Sequence, residues 1–135
     1  MAVVYRHQVR YHEVDQQGFL FNAHVLTIAD VGLTELFRSL GWRYDELVAG
    51  GTDPSLAKTE IAFLRPARFD DVLDVEVTPT HVGRSSFTLS FHLRCGAYPV
   101  ATVDTVYVNV DPDTATSRPL PAEVAARLRA VLPTS

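Results

Sequence analysis

The chain has 135 residues, 47% of them hydrophobic and 21% charged, with a formal net charge of −4; this suits a single compact domain over residues 1–135 and argues against disorder. The acidic balance, with no run of Lys or Arg, disfavours nucleic-acid binding. No segment reaches the roughly 18 consecutive apolar residues of a membrane span, the opening MAVVYRHQVRYHEVD turns polar too early for a secretory leader, and the single Cys95 permits no internal disulfide, so a cytoplasmic protein without membrane association is expected.

Tyr5, Val9 and Tyr11 alternate with Arg6, Gln8 and Arg10, which predicts a first strand from Val4 to His12. Beyond a Gly-containing turn, Val25, Ile28, Ala29, Gly32, Leu33, Leu36, Phe37 and Leu40 recur at three- and four-residue spacing, the pattern of a helix with one apolar face. Asn22 is placed to cap its start and Gly41 to end it. Leu26 and Val31 widen the apolar stripe and leave Thr27, Asp30, Thr34 and Arg38 as a narrow polar face, so this helix should be wrapped by a sheet.

A short helix near Arg43 to Val48 and a turn at Gly50 and Gly51 precede four further strands. Leu56 to Leu64 is the weakest, stopping before Pro66. Leu73, Val75 and Val77 alternate with polar residues in the next, and Phe87, Leu89, Phe91 and Leu93 in the clearest of all, where Cys95 shares the buried phase. Val100 to Val110 changes phase between Val103 and Val106, which predicts a bulge. Pro121 to Leu132 reads as a terminal helix with Pro in its first turn. Strand, long apolar helix, four strands and a last helix imply an α+β domain, an antiparallel sheet folded around one central helix.

Chemistry concentrates in EVDQQGFLFNAHV, Glu13 to Val25, between the first strand and the buried helix. Helix N-termini expose unpaired N–H groups and the positive end of a dipole, which can hold a developing oxyanion. Asp15 beside them can activate water or attack a carbonyl directly, with an N–H near Gly18 or the helix entrance polarising that carbonyl. An Asp ahead of a Gly-containing turn is also an ordinary turn former, so the neighbouring motifs decide its reading.

The segment resembles the signature of the 4-hydroxybenzoyl-CoA thioesterase family, Asp-x-Asp-x-x-Gly followed by an apolar stretch, Asn and a central helix. Glu13 and Asp15 fall on the acidic positions, Gly18 on the glycine and Asn22 on the asparagine. FLRPARFDDVLDVEV looks like the family's Arg-Pro-Ala-Arg-x-x-Asp turn, and HVGRSSFTLSF is similar to its next hairpin. The resemblance implies a hot-dog fold, with a five-stranded antiparallel sheet around the long helix and a short C-terminal helix. It also implies an acyl-CoA or aryl-CoA thioesterase with Asp15 as catalytic carboxylate, CoA thioester as substrate and no metal or redox cofactor.

By the same resemblance the site lies at the interface of a homodimer or a homotetramer built as a dimer of dimers. CoA lies along Ser85, Ser86 and Phe87, with Arg84 near its phosphates and Arg65 and Arg68 as further candidates, each of which can alternatively pair with Asp70 or Asp71. His24 and Val25 fall beside the acyl group. Glu13 stands where Asp is commoner, Gln16 where Pro is frequent and Val25 where Tyr is, and His24 is unusual at its position; these departures leave the acyl group open.

Other chemistry is less well supported by the residues. His7, His12, His81 and His92 lack the close, repeated spacings of a zinc site, no Gly-x-Ser-x-Gly elbow is present, and Glu35 reads as a structural carboxylate on the helix. Two alternatives stay open: a hot-dog hydratase or dehydratase pairing His24 with Asp15, and a non-catalytic acyl-CoA binding module.

Overall fold

The computed structural model describes residues 2–133. Strand β1 (Ala2–Gln8) leads through a single 3-10 turn, Tyr11–Glu13, into helix α1 (Asn22–Ser39). The first strand is shorter than the alternation predicts. Val9 turns its N–H and carbonyl to Asp71 and Asp70, and the Glu13 carboxylate accepts the Arg10 N–H at 2.7 Å, closing the 3-10 turn. Tyr11, which continued the pattern, is 82% exposed.

Helix α1 buries Val25, Ile28, Ala29, Gly32, Leu33, Leu36 and Phe37, the residues at helical spacing. Phe21 is its N-cap and no side chain caps it, so Asn22 is the first helical residue and not the expected cap. Gly41, at φ +108°, lets the chain leave the helix in a conformation that L side chains avoid. Val31, expected on the apolar stripe, is 37% exposed because the sheet covers only one side of the helix. Glu35 pairs with Arg38 at 3.2 Å.

A short α2 (Tyr44–Ala49) precedes β2 (Pro54–Phe63), β3 (Val72–Val82), β4 (Ser86–Cys95), β5 (Tyr98–Asp111), the two-residue β6 (Thr116–Ser117) and α3 (Ala122–Ala130). The sheet has six strands where five were expected, because β6 adds a short pairing on β5; its main order is β1-β3-β4-β5-β2, all antiparallel. Leu73, Val75, Val77, Phe87, Leu89, Phe91 and Leu93 point at α1 and are buried. A Cβ on Gly32 would sit 3.2 Å from both Phe91 and Val75, so the absence of a side chain there lets the helix lie close on the sheet.

From Ala101 onward strand β5 keeps one phase, with Val103, Thr105, Tyr107 and Asn109 all buried; its own extra residue is Val100, at the step from Leu93↔Ala101 to Arg94↔Pro99. Near Val106, where the bulge was expected, the extra residue lies on the neighbouring strand: β2 inserts Ala57 between the pairs Leu56↔Tyr107 and Lys58↔Val106. Val106, Val108 and Val110 are half-buried on the opposite face, which produced the apparent change of phase. Cys95 is half-buried and not in the core, since it is the last residue of β4, paired with Tyr98 beside the Gly96 turn.

Because β2 and β3 lie on opposite sides of the β4–β5 pair, their connection crosses the sheet's end, and this crossing brings residues 64–71 against the entrance of α1. At the other end, α3 buries Val124, Ala125 and Leu128. Its Arg127 donates to the Leu40 carbonyl and lies 5.3 Å over the Trp42 ring, satisfying an acceptor at the end of α1. Among the described residues no helix is long and apolar enough to cross a membrane.

Candidate active site

The entrance to α1 is a tight hairpin. The Phe21 N–H donates to the Glu13 carbonyl at 2.8 Å and the Asp15 N–H to the Phe19 carbonyl at 2.8 Å, around the bridge Val14↔Leu20. At its tip the Gly18 N–H donates to the Asp15 carbonyl at 2.9 Å, with Gly18 at φ +82°. This glycine shapes the turn and its N–H is occupied, so of the two expected places for an oxyanion donor, near Gly18 or at the helix entrance, Gly18 itself offers no free N–H.

Asp15 Oδ1 accepts the N–H groups of Gln17 at 2.9 Å and Phe19 at 3.2 Å. Its Oδ2 has no hydrogen-bond partner among the described residues. Asp15 is therefore both a turn former and a half-buried carboxylate with one uncommitted oxygen, so the two readings of this residue are compatible. It lines a cavity of about 350 Å³. Leu20, Phe21, Asn22 and Val25 form the helix side, Phe63, Leu64, Arg65 and Pro66 face them, and Ala67 and Val100 close the floor.

The start of α1 leaves two donors open, one of them on Asn22, which lines this cavity. The N–H groups of Asn22 and Ala23 have no carbonyl or side-chain partner among the described residues, because they open an uncapped helix. The next N–H, of His24, already donates to Phe21 at 2.9 Å. A carbonyl oxygen placed at the free pair would lie at the positive end of α1.

The structure gathers Asp15, Asn22, Val25 and Arg65 around one cavity. Arg68 is one residue removed: its guanidinium lies 4.8 Å over the Phe19 ring, as that of Arg65 lies 5.1 Å over Tyr98. Neither guanidinium pairs with Asp70 or Asp71; the Asp71 carboxylate accepts the Arg68 backbone N–H at 2.8 Å instead. Both cations thus keep their donors for an anion. His24 is not in the cavity wall, and its ring meets the Phe21 ring edge-on at 6.0 Å.

Arg84, Ser85 and Ser86 are elsewhere. Arg84 and Ser85 line a separate polar pocket of about 90 Å³ with Ser117 and Arg118. Ser86 pairs with Val108, while the cavity touches β5 at Val100, roughly 25 Å away along the strand at about 3.3 Å per residue. One chain does not bring them to Asp15.

Sequence reasoning missed the apolar wall of Phe19, Leu20, Phe21, Phe63 and Leu64. The signal was present in GFLF and FLRPAR, whose apolar residues stand beside the motif's Gly, Asn and Arg positions. It also gave Glu13 no role beyond a motif position. Glu13 is buried, and His7 Nε2 lies 2.8 Å from its Oε1. Burial pushes its carboxyl up, but the Arg10 N–H and His7 outweigh burial and hold it below the ordinary glutamate value. Among the described residues no group of three or more His, Cys, Asp and Glu side chains is placed to hold a metal ion.

Residues 9–128 match the family described as the thioesterase-like superfamily. The 1,4-dihydroxy-2-naphthoyl-CoA hydrolase of Synechococcus elongatus is 26% identical over 115 residues, 84% of this chain and 85% of its own. A thioesterase complexed with coenzyme A and Zn from Thermus thermophilus superposes with a TM-score of 0.81 at 26% identity, covering 94% of this chain and 91% of that one. A hypothetical protein from Aquifex aeolicus superposes with a TM-score of 0.85 at 25% identity, over 92% and 97% of the two chains. The curled sheet and central helix are the hot-dog fold that the motifs implied.

Proposed function

Because the chain belongs to the thioesterase-like superfamily, we propose that it hydrolyses an acyl-CoA or aryl-CoA thioester to the free acid and CoA, as the narrower resemblance to 4-hydroxybenzoyl-CoA thioesterases implies. The observation that carries this reading is Asp15, with one uncommitted oxygen, on the same cavity as Asn22, whose open N–H begins α1. The thioester carbonyl oxygen sits at the Asn22 and Ala23 N–H groups. Asp15 takes a proton from water as its oxygen bonds to the carbonyl carbon; the C–S bond then breaks and the proton passes to the CoA thiolate. Direct attack by Asp15, giving an anhydride that water opens, uses the same geometry. Neither route calls on a metal or redox group.

Phe19, Phe21, Val25 and Leu64 supply an apolar seat for the acyl or aryl group, and Arg65 and Arg68 stand at the rim for the phosphates of CoA. The remaining candidates, Arg84, Ser85 and Ser86, join the site through a second copy. Ser55, Val108 and Ser86 lie on one row of the sheet, at the end opposite Phe63. Pairing the open edge of β2 with the same edge of a twofold-related copy reverses the strand direction. The partner's row then lies beside this chain's cavity, so the working unit is a homodimer, alone or within a tetramer.

A panel of acyl-CoA and aryl-CoA esters, assayed by thiol release, tests the reading. Asp15→Asn keeps an acceptor oxygen for Gln17 and Phe19 but removes the base, and kcat should fall by about 10²–10⁴-fold in a folded protein. No thiol release from any ester, full activity of that variant, or tight acyl-CoA binding without turnover would overturn it. The hydratase alternative required His24 beside Asp15; with His24 outside the cavity wall, His24→Ala should leave thiol release within about threefold. A monomeric mass in light scattering at micromolar concentration would remove the shared site.

A further inference from the structure

We propose that His7 and Glu13 are positioning residues that hold Asp15 and the open N–H groups of α1 in mutual register. His7 lies on β1, whose ladder with β3 sets it opposite Leu73, so its ring is fixed to the framework of the sheet. Its Nε2 lies 2.8 and 3.0 Å from the two oxygens of Glu13, and its Nδ1 lies 2.8 Å from the Tyr5 hydroxyl. One neutral tautomer satisfies every contact: the Tyr5 O–H donates to Nδ1, and Nε2–H donates to the carboxylate. The Arg10 N–H supplies the third hydrogen bond to Glu13 at 2.7 Å.

Glu13 is 7% exposed, and from it the chain branches to both halves of the site. Its carbonyl accepts the N–H of Phe21, the residue just before the open N–H groups, and Asp15 is two residues along. A shift of Glu13 therefore moves the carboxylate and the oxyanion donors relative to one another. A buried carboxylate is a costly way merely to fill space, since an apolar side chain of the same volume packs as well without desolvating a charge. What it adds is direction: hydrogen bonds of fixed length from the strand to the loop. His12 and Arg10 on the 3-10 turn and Glu35 on α1 are the other charged or titratable groups acting on this cluster.

The kinetic part rests on the hydrolase reading above; the structural part does not. His7→Phe and Glu13→Met keep side-chain volume and break the chain of hydrogen bonds, and each should lower kcat by about 10–100-fold with KM within about threefold, as for a misplacement of order 1 Å. Glu13→Gln should restore most of that loss, because its amide oxygen still accepts from Arg10 while its NH₂ donates to the opposite tautomer of His7. Arg6→Ala, which breaks an exposed pair with Asp74 on the outer side of the same strand, should leave kcat unchanged. Wild-type kcat in His7→Phe and Glu13→Met, with only a lower melting temperature, would overturn the proposal.

Hydrogen exchange needs no substrate. The amides of Asp15, Phe19 and Phe21 should exchange about tenfold faster in His7→Phe, with Leu89 and Phe91 in β4 unchanged. Uniform acceleration would mean a global loss of stability and no positioning role. A wild-type protein that turns over no thioester but shows the local acceleration would sink the hydrolase reading and keep this one.

Discussion

Along β4 the inward side chains Phe87, Leu89, Phe91 and Leu93 are fully covered by α1, whereas along β2 the inward Leu56 and Phe63 are 40% and 58% exposed. The two strands flank β5 in one sheet. A helix about 10 Å across covers two or three strands spaced at roughly 4.8 Å, so the outermost strand overhangs. The covered part supplies stability, at about 1.5–3 kcal/mol for each large apolar side chain buried. The overhang, with Phe63 and Leu64 against the Asp15 hairpin, carries the cavity.

That contrast is most severely tested by truncation. Phe91→Ala, under the centre of α1, should cost about 3–5 kcal/mol in urea unfolding, and Phe63→Ala, on the overhang, under about 1 kcal/mol. Equal losses would mean that the two faces are not as different as their exposure. Gly32→Ala should cost about 1–3 kcal/mol, since its new methyl group would press on Phe91 and Val75; an unchanged unfolding midpoint would show that α1 can lift from the sheet. Leu56→Ser should barely move the stability of a separated chain, yet shift sedimentation toward the monomer at micromolar concentration. A sedimentation profile identical to wild type would place the contact between copies elsewhere.

The smallest effect is electrostatic. Glu13 is held below the ordinary glutamate value in the folded chain, so its contribution to stability is full above that value. It drains away as pH falls through the ordinary value toward the lower folded one, because the unfolded chain takes up the proton first. Glu13→Gln does not titrate. The stability gap between wild type and this variant should therefore narrow as urea titrations move from neutral pH to below the ordinary glutamate value, and a gap constant over that range would exclude the linkage.

Periodicity made α1 and β4 readable, because helical spacing and strict alternation survive wherever one face is wholly buried. It misled where burial was partial. Tyr11 extended the alternation of β1 into a 3-10 turn, Val31 looked like core on the side of α1 that the sheet leaves bare, and the outer valines of β5 imitated a bulge that belongs to β2. Asp15 was legible through its motif, with Asn22, Val25 and Arg65 around it. The commitment of the Gly18 N–H, the exit of His24 from the cavity wall and the tie between His7 and Glu13 were not, since each depends on hydrogen bonds or directions that residue spacing does not encode.

The sequence by itself determined the main elements and pointed to Asp15 as the candidate carboxylate ahead of the long helix, since these are local matters of period, turn chemistry and motif. Tertiary structure alone decided that β2 crosses to the far edge, that residues 64–67 therefore close the cavity, and that Arg84, Ser85 and Ser86 stand at the opposite end from Asp15. Strand order is set by which apolar faces can be buried together, and that is a property of the whole chain packed around α1, which no segment carries alone.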